Sequence, residues 1–129
     1  MATLAGSSQK EAQKKILVVD DEVKTCNLLS RILSAHGYRV ETASDGENAL
    51  RMSVEFIPDC VLLDIRLPQG GMELFSQIKE QLPKANIIMI SSILTGSSLQ
   101  DYLAAGAYAC LEKPVDLNYL RGKIEEALT

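Results

Sequence analysis

Two apolar runs in this sequence end abruptly in acid. Lys15-Ile16-Leu17-Val18-Val19 runs into Asp20-Asp21, and Cys60-Val61-Leu62-Leu63 runs into Asp64. Two more runs end in other polar groups: Asn86-Ile87-Ile88-Met89-Ile90 stops at Ser91-Ser92, and Tyr108 to Leu111 leads to Glu112-Lys113-Pro114. If the four runs lie side by side, three carboxylates, a hydroxyl and an ammonium converge on one crevice. Carboxylates packed together repel, and at least one stays protonated unless a cation compensates. Oxygen ligands suit magnesium. Carboxylate, metal, ammonium and hydroxyl together fit a phosphoryl group, whose transfer is catalysed mostly by positioning and charge neutralisation. Nothing else resembles a nucleophile activated by a base. The only histidine, His36, falls near a helix end and reads as a surface residue. Asp64 is therefore the best nucleophile candidate, forming an acyl phosphate.

These residues need a scaffold that brings them together. A short apolar run bounded by turn residues, such as Cys60 to Leu63 between Pro58-Asp59 and Pro68, reads as a buried strand. Strands buried on both faces belong inside a parallel sheet. The carboxyl edge of such a sheet is where open α/β folds bind ligands. A lone Asp there usually caps the next helix; a second run ending the same way argues against that reading here.

Between the runs the pattern changes to helical spacing. Val23, Cys26, Leu29, Ile32 and Leu33 predict a helix over about 23–36, stopped by Gly37. Residues 38–43 alternate and predict a second, more peripheral strand. Ser44 and Glu47 form a capping box that opens a helix through Ala49, Leu50 and Val54. Met72, Phe75, Ile78 and Leu82 predict a third helix, stopped by Pro83. A weaker helix spans about 97–105 before Gly106. Leu117, Leu120, Ile124 and Leu128 mark a last amphipathic helix. Strand and helix thus alternate five times, which implies an α/β fold: a parallel sheet with helices on both faces and right-handed crossovers.

The bulk properties agree. A chain of 129 residues suits one domain. Met1 to Lys14 is small and polar and reads as a flexible N-terminal tail (1–14), which leaves the domain to 15–129. The net charge of -4 argues against this domain gripping nucleic acid by itself. Cys26, Cys60 and Cys110 show neither disulfide nor zinc spacing, which points to a reducing cytoplasm. No apolar run reaches the length of a membrane span, and the N-terminus lacks the apolar core of a signal peptide.

From about Lys14 to Leu128 the chain resembles the receiver domain of two-component response regulators. The resemblance rests on the Asp-Asp pair after the first strand, Asp-x-x-x-Pro after the third, Ser after the fourth and Lys-Pro after the fifth. It implies a flavodoxin-like fold of five parallel strands in the order 2-1-3-4-5. It also implies that Asp64 accepts the phosphoryl group, and that Asp21, Asp64 and the backbone carbonyl of Arg66 bind Mg2+ directly. By the same resemblance, Asp20 is expected to hold a metal-bound water, Ser91 to turn its hydroxyl to the phosphoryl group, and Lys113 to pair with the acceptor or its phosphate. The implied partners are a histidine kinase or histidine phosphotransfer protein. The implied output partner or effector domain is met through the fourth helix, fifth strand and fifth helix. Such a domain catalyses its own phosphorylation and slow dephosphorylation but is chiefly a signalling switch, either stand-alone or within a larger regulator. The Lys113-Pro114 bond is expected to be cis, a state that costs an X-Pro bond only about 0.5–1 kcal/mol.

Three departures stand out. The family usually carries an aromatic residue three positions before the lysine, where this chain has Cys110; Tyr108, expected on the same side, is a partial substitute or simply a core tyrosine with a wet hydroxyl. The segment 68–72 is one residue shorter than the common pattern. Ser92 stands where a small apolar residue is common. Two other readings remain open. One is a receiver-like module that binds partners without being phosphorylated. The other is an aspartate-based, magnesium-dependent phosphatase of the haloacid dehalogenase type, which would need Asp-x-Asp where this chain has Asp20-Asp21-Glu22.

Overall fold

The computed structural model of the chain describes residues 13–64, 71–92 and 96–129. The elements are β1 (Lys15–Val19), α1 (Val23–Ala35), β2 (Arg39–Ala43), α2 (Gly46–Phe56), β3 (Cys60–Asp64), α3 (Gly71–Gln81), β4 (Asn86–Ser91), α4 (Gly96–Ala104), β5 (Ala109–Glu112) and α5 (Leu117–Ala127). The five strands form one parallel sheet in the order β2-β1-β3-β4-β5. The parallel α/β sheet is the one that the alternating pattern predicts, and its order is the flavodoxin-like one that the resemblance implies.

Strand alternation divides the core in two. Leu17, Val19, Val61, Leu63, Ile87 and Met89 face one side, where they meet Ala49 of α2, Phe75 and Ile78 of α3, and Tyr102 of α4. Ile16, Val18, Cys60, Leu62, Ile88 and Ile90 face the other, against Cys26, Leu29 and Leu33 of α1 and Leu120 and Ile124 of α5. β3 is buried along its whole length because it has a strand on either side and helices above and below. That double burial is why its sequence reads as a continuous apolar run and not as an alternation.

Register sets the height of the site. Val19 pairs with Leu63, so Asp20 and Asp64 lie level. Asp64 pairs with Ile90, which puts Ser91 one residue beyond. Ser91 pairs with Glu112, so Lys113 follows immediately at the same edge.

Several local expectations are corrected. α2 is capped by Asp45, not Ser44: the Asp45 Oδ1 accepts the Asn48 backbone N–H at 2.7 Å. Asp45 occupies the extended position next to the first helical residue, and a short carboxylate there reaches the N–H three residues on. Val23, Val54 and Leu117 point outward, 60%, 60% and 39% exposed. The inward positions of α2 are Ala49, Ser53 and Phe56, and Ser53 satisfies its buried hydroxyl by donating to the Ala49 carbonyl at 2.8 Å. Tyr108 does not share a side with Cys110. It precedes β5, so strand alternation does not reach it; its ring packs with the α1–α5 cluster while Cys110 packs with the opposite one. Its hydroxyl lies at the surface, as expected of a wet tyrosine tip, and donates to the Glu126 carboxylate of α5.

Other details follow the sequence. Gly37 ends α1 at a φ of 95°, a left-handed conformation that glycine adopts without penalty. Ile57, which ends α2, has a φ of 51°, an unfavourable conformation for a β-branched residue. The Lys113-Pro114 bond is cis. No helix among the described residues is long and apolar enough to cross a membrane. Arg66, most of the segment 68–72 and Thr95 lie outside the described residues.

Candidate functional site: an acidic crevice at the carboxyl edge

The sheet brings together the four groups that register predicts. Asp20, Asp21 and Asp64 each offer a carboxylate oxygen, and these atoms all lie within 4.8 Å of one another. Asp20 and Asp64 are buried, 4% and 5% exposed, whereas Asp21 is open to solvent. The Lys113 ammonium lies 2.7 Å from the Asp64 Oδ2 and 3.3 Å from the Asp20 Oδ2. Ser91 is buried at the end of β4, and its carbonyl accepts the Lys113 backbone N–H at 2.8 Å. That bond ties the hydroxyl and the ammonium to a common support. Ser92 is exposed.

Electrostatics holds the cluster together. Burial opposes the charged form of Lys113, but hydrogen bonding and attraction to Asp64, and then to Asp20, outweigh it and raise its pKa above the ordinary 10.5. The lysine therefore stays an ammonium under all physiological conditions. Among the described residues, one cation beside three carboxylates leaves the crevice net negative. A hard divalent cation fits that donor set: all three side chains supply oxygen, and the exposed edge at Asp21 gives access to water.

Two supports were not evident from the sequence. The Asp20 Oδ1 accepts the Glu22 backbone N–H at 2.8 Å, and Asp20's own N–H donates to the Ala43 carbonyl of β2 at 3.0 Å. The Cys26 thiol of α1 donates to the Asp20 carbonyl at 3.3 Å. Burial first, and then the charge of Asp20, raise the Cys26 pKa and keep it a neutral donor. Helical spacing marks Cys26 as inward-facing; only the docking angle of α1 shows that inward, here, means onto the acidic turn. His36 accords with its surface reading: it is exposed at the end of α1, with Nδ1 2.8 Å from the Ile32 carbonyl.

A cleft of about 360 Å³ opens beside the carboxylates between α1 and the β5–α5 connection. Thr25, Leu28, Pro114 and Leu117 line it together with Asp64 and Lys113. Most of its wall is apolar.

Comparison with known proteins agrees with this geometry. The response regulator receiver domain family matches residues 16–125. The transcriptional regulatory protein ZraR of Klebsiella oxytoca is 35% identical over 117 residues; these are 90% of this chain but 26% of ZraR, so the chain spans about a quarter of that relative. The chemotaxis protein CheY of Halobacterium salinarum is also 35% identical over 117 residues, covering 90% of this chain and 98% of CheY. A CheY-like receiver domain structure from Methanospirillum hungatei superposes with a TM-score of 0.85 at 32% identity, covering 90% of this chain and 94% of that one. CheY in a CheX-CheY-BeF3-Mg+2 complex from Borrelia burgdorferi superposes with a TM-score of 0.82 at 31% identity, covering 90% of both chains. With the sequence match running the length of the sheet and the fold shared strand for strand, this chain belongs to the response regulator receiver domain family.

Proposed function

We propose that this domain is a phosphorylation-dependent switch that accepts a phosphoryl group on Asp64. The observation that carries the reading is the Lys113 ammonium 2.7 Å from a buried Asp64 carboxylate that shares its crevice with Asp20 and Asp21. In transfer, an Asp64 oxygen attacks the phosphorus of a phosphohistidine. The P–N bond breaks, its electron pair stays on the imidazole nitrogen, and an acyl phosphate forms. Lys113 holds the acceptor oriented and offsets negative charge on the phosphoryl oxygens, and the Ser91 hydroxyl donates to one of them. Hydrolysis reverses the gain: water attacks phosphorus, the P–O bond to Asp64 breaks, and inorganic phosphate leaves.

Asp21 and Asp64 would bind Mg2+ directly with the Arg66 carbonyl, and Asp20 would bind it through water. The ion's contribution is to neutralise charge on the phosphoryl oxygens. The donor is a histidine kinase or histidine phosphotransfer protein, and the apolar cleft beside Asp64 suits the docking of its histidine-bearing surface. The output partner or effector domain reads the surface of α4, β5 and α5. The switch extends over 15–129, follows a tail at 1–14, and works in the cytoplasm.

The test is mass spectrometry after incubation with acetyl phosphate and magnesium. Wild type gains one phosphoryl group, and Asp64→Asn gains none. A phosphoryl group retained in Asp64→Asn, or none gained by wild type, overturns the reading. Steady release of phosphate from small phosphoesters would favour a phosphatase instead.

A further inference from the structure

Among the described side chains of α4, those of residues 99–104, the Tyr102 ring is the one buried in the core, at 7% exposed; Gln100, Asp101, Leu103 and Ala104 face solvent. The Tyr102 ring stands edge-on to Phe75 of α3, with centroids 5.8 Å apart and planes at 80°. Both rings lie in the same core cluster as Met89 of β4. Cys110 of β5 packs against that cluster as well, so a small thiol and not a second large side chain borders the ring on the β5 side. Burial, and secondarily the neighbouring Cys110, raise the Tyr102 phenol pKa, which keeps the ring neutral. At its other end α4 starts five residues after Ser91, the buried serine of the acidic crevice.

This arrangement has the parts of a two-position element. One end of the helix is tied by a short connection to a residue at the site. The other is held by an aromatic edge contact, whose preferred geometry is specific, so a displacement of the helix changes it. Cys110, soft and small, is an adaptable neighbour for the ring. A phosphoryl group biases two states only through interactions that differ between them, so a moving α4 must carry the difference to whatever anchors it.

We infer that Tyr102 is the positioning residue through which α4 registers the state of Asp64: its ring sits differently against Phe75 and Cys110 in the phosphorylated and unphosphorylated protein. This rests on the phosphoacceptor reading of Asp64. In that case the aromatic signal of this domain is carried on α4, with Cys110 of β5 as its neighbour.

The full chain labelled with 3-fluorotyrosine tests the inference by fluorine NMR. It has four tyrosines, and Tyr102→Phe identifies the Tyr102 line by its loss. On addition of magnesium and beryllofluoride, the Tyr102 line is expected to move in step with the Ser91 amide. Tyr38, which packs on the opposite face of the sheet, stays in place. Tyr102→Phe, which keeps the ring, retains the accompanying shifts of the α4 amides; Tyr102→Leu, which keeps bulk without a ring, loses at least half of them. A Ser91 amide that moves while the Tyr102 line stays overturns the inference and leaves the phosphoacceptor reading standing. So does a Tyr102→Leu protein with complete α4 shifts. Silence at every resonance, Ser91 included, overturns the phosphoacceptor reading and this inference with it.

Discussion

Lys113 is the only cation bonded to the buried carboxylates among the described residues, and its removal separates two roles of the crevice. Lys113→Met removes the ammonium that Asp20 and Asp64 share, at a cost of about 1–3 kcal/mol for buried polar groups that lose a hydrogen-bond donor. Urea unfolding in a chelator is expected to show that loss, and millimolar magnesium to recover much of it. An equal loss with and without the ion would mean that Lys113 acts through packing alone. The ion itself is expected to bind weakly, because it keeps several waters in an open site of this kind. A titration followed by stability or fluorescence should saturate, and Asp21→Ala should abolish it; unchanged binding in that variant would move the site elsewhere. Cys60 gives the opposite case of a group made inert. It is fully buried in β3, and burial pushes its thiol pKa up to about 12. The thiolate that alkylating reagents attack is therefore negligible near neutral pH. Iodoacetamide labelling of Cys60 at pH 8 should proceed only at the rate of global unfolding, and faster labelling in native buffer would contradict the packing of the central strand.

Helix ends are where composition and structure part company. Asp45→Ala should cost about 1 kcal/mol, as the loss of an N-cap does. Ser44→Ala should stay within about 0.5 kcal/mol, the range of surface changes. A thermal melt in which the two exchange places would restore the cap to Ser44. At the other end of α2, Ile57→Asn should stabilise the domain by about 1 kcal/mol. Asparagine accepts the left-handed backbone that isoleucine resists, and Ile57, 60% exposed, gives up little burial. A destabilised variant would show that its side chain packs more than its exposure suggests. These cases also mark how far sequence reasoning reached. Strand ends could be read because four apolar runs stop at polar residues, and register then fixes the height of Asp20, Asp64, Ser91 and Lys113. The cap could not, because adjacent Ser44 and Asp45 are equally good candidates and backbone geometry chooses between them. Val23 and Val54 could not either, since an outward valine at helical spacing looks the same as an inward one. The burial of Tyr102 depends on its meeting Phe75 and lying beside Cys110, partners that are distant in sequence.

The whole site depends on long-range closure. Asp20 and Asp64 come from strands on adjacent tracks of the sheet, whereas Lys113 comes from the edge strand on the far side of β4. The bond from Lys113 to Asp20 spans 93 residues. Contacts of that separation form late, because the chain's entropy must be given up before they reward it. A ribosome-bound chain that has folded as far as β3 would already hold Asp64 beside Asp20 and Asp21, yet Lys113 would not have emerged to join them. Completion of the crevice is thereby deferred until synthesis has passed β5.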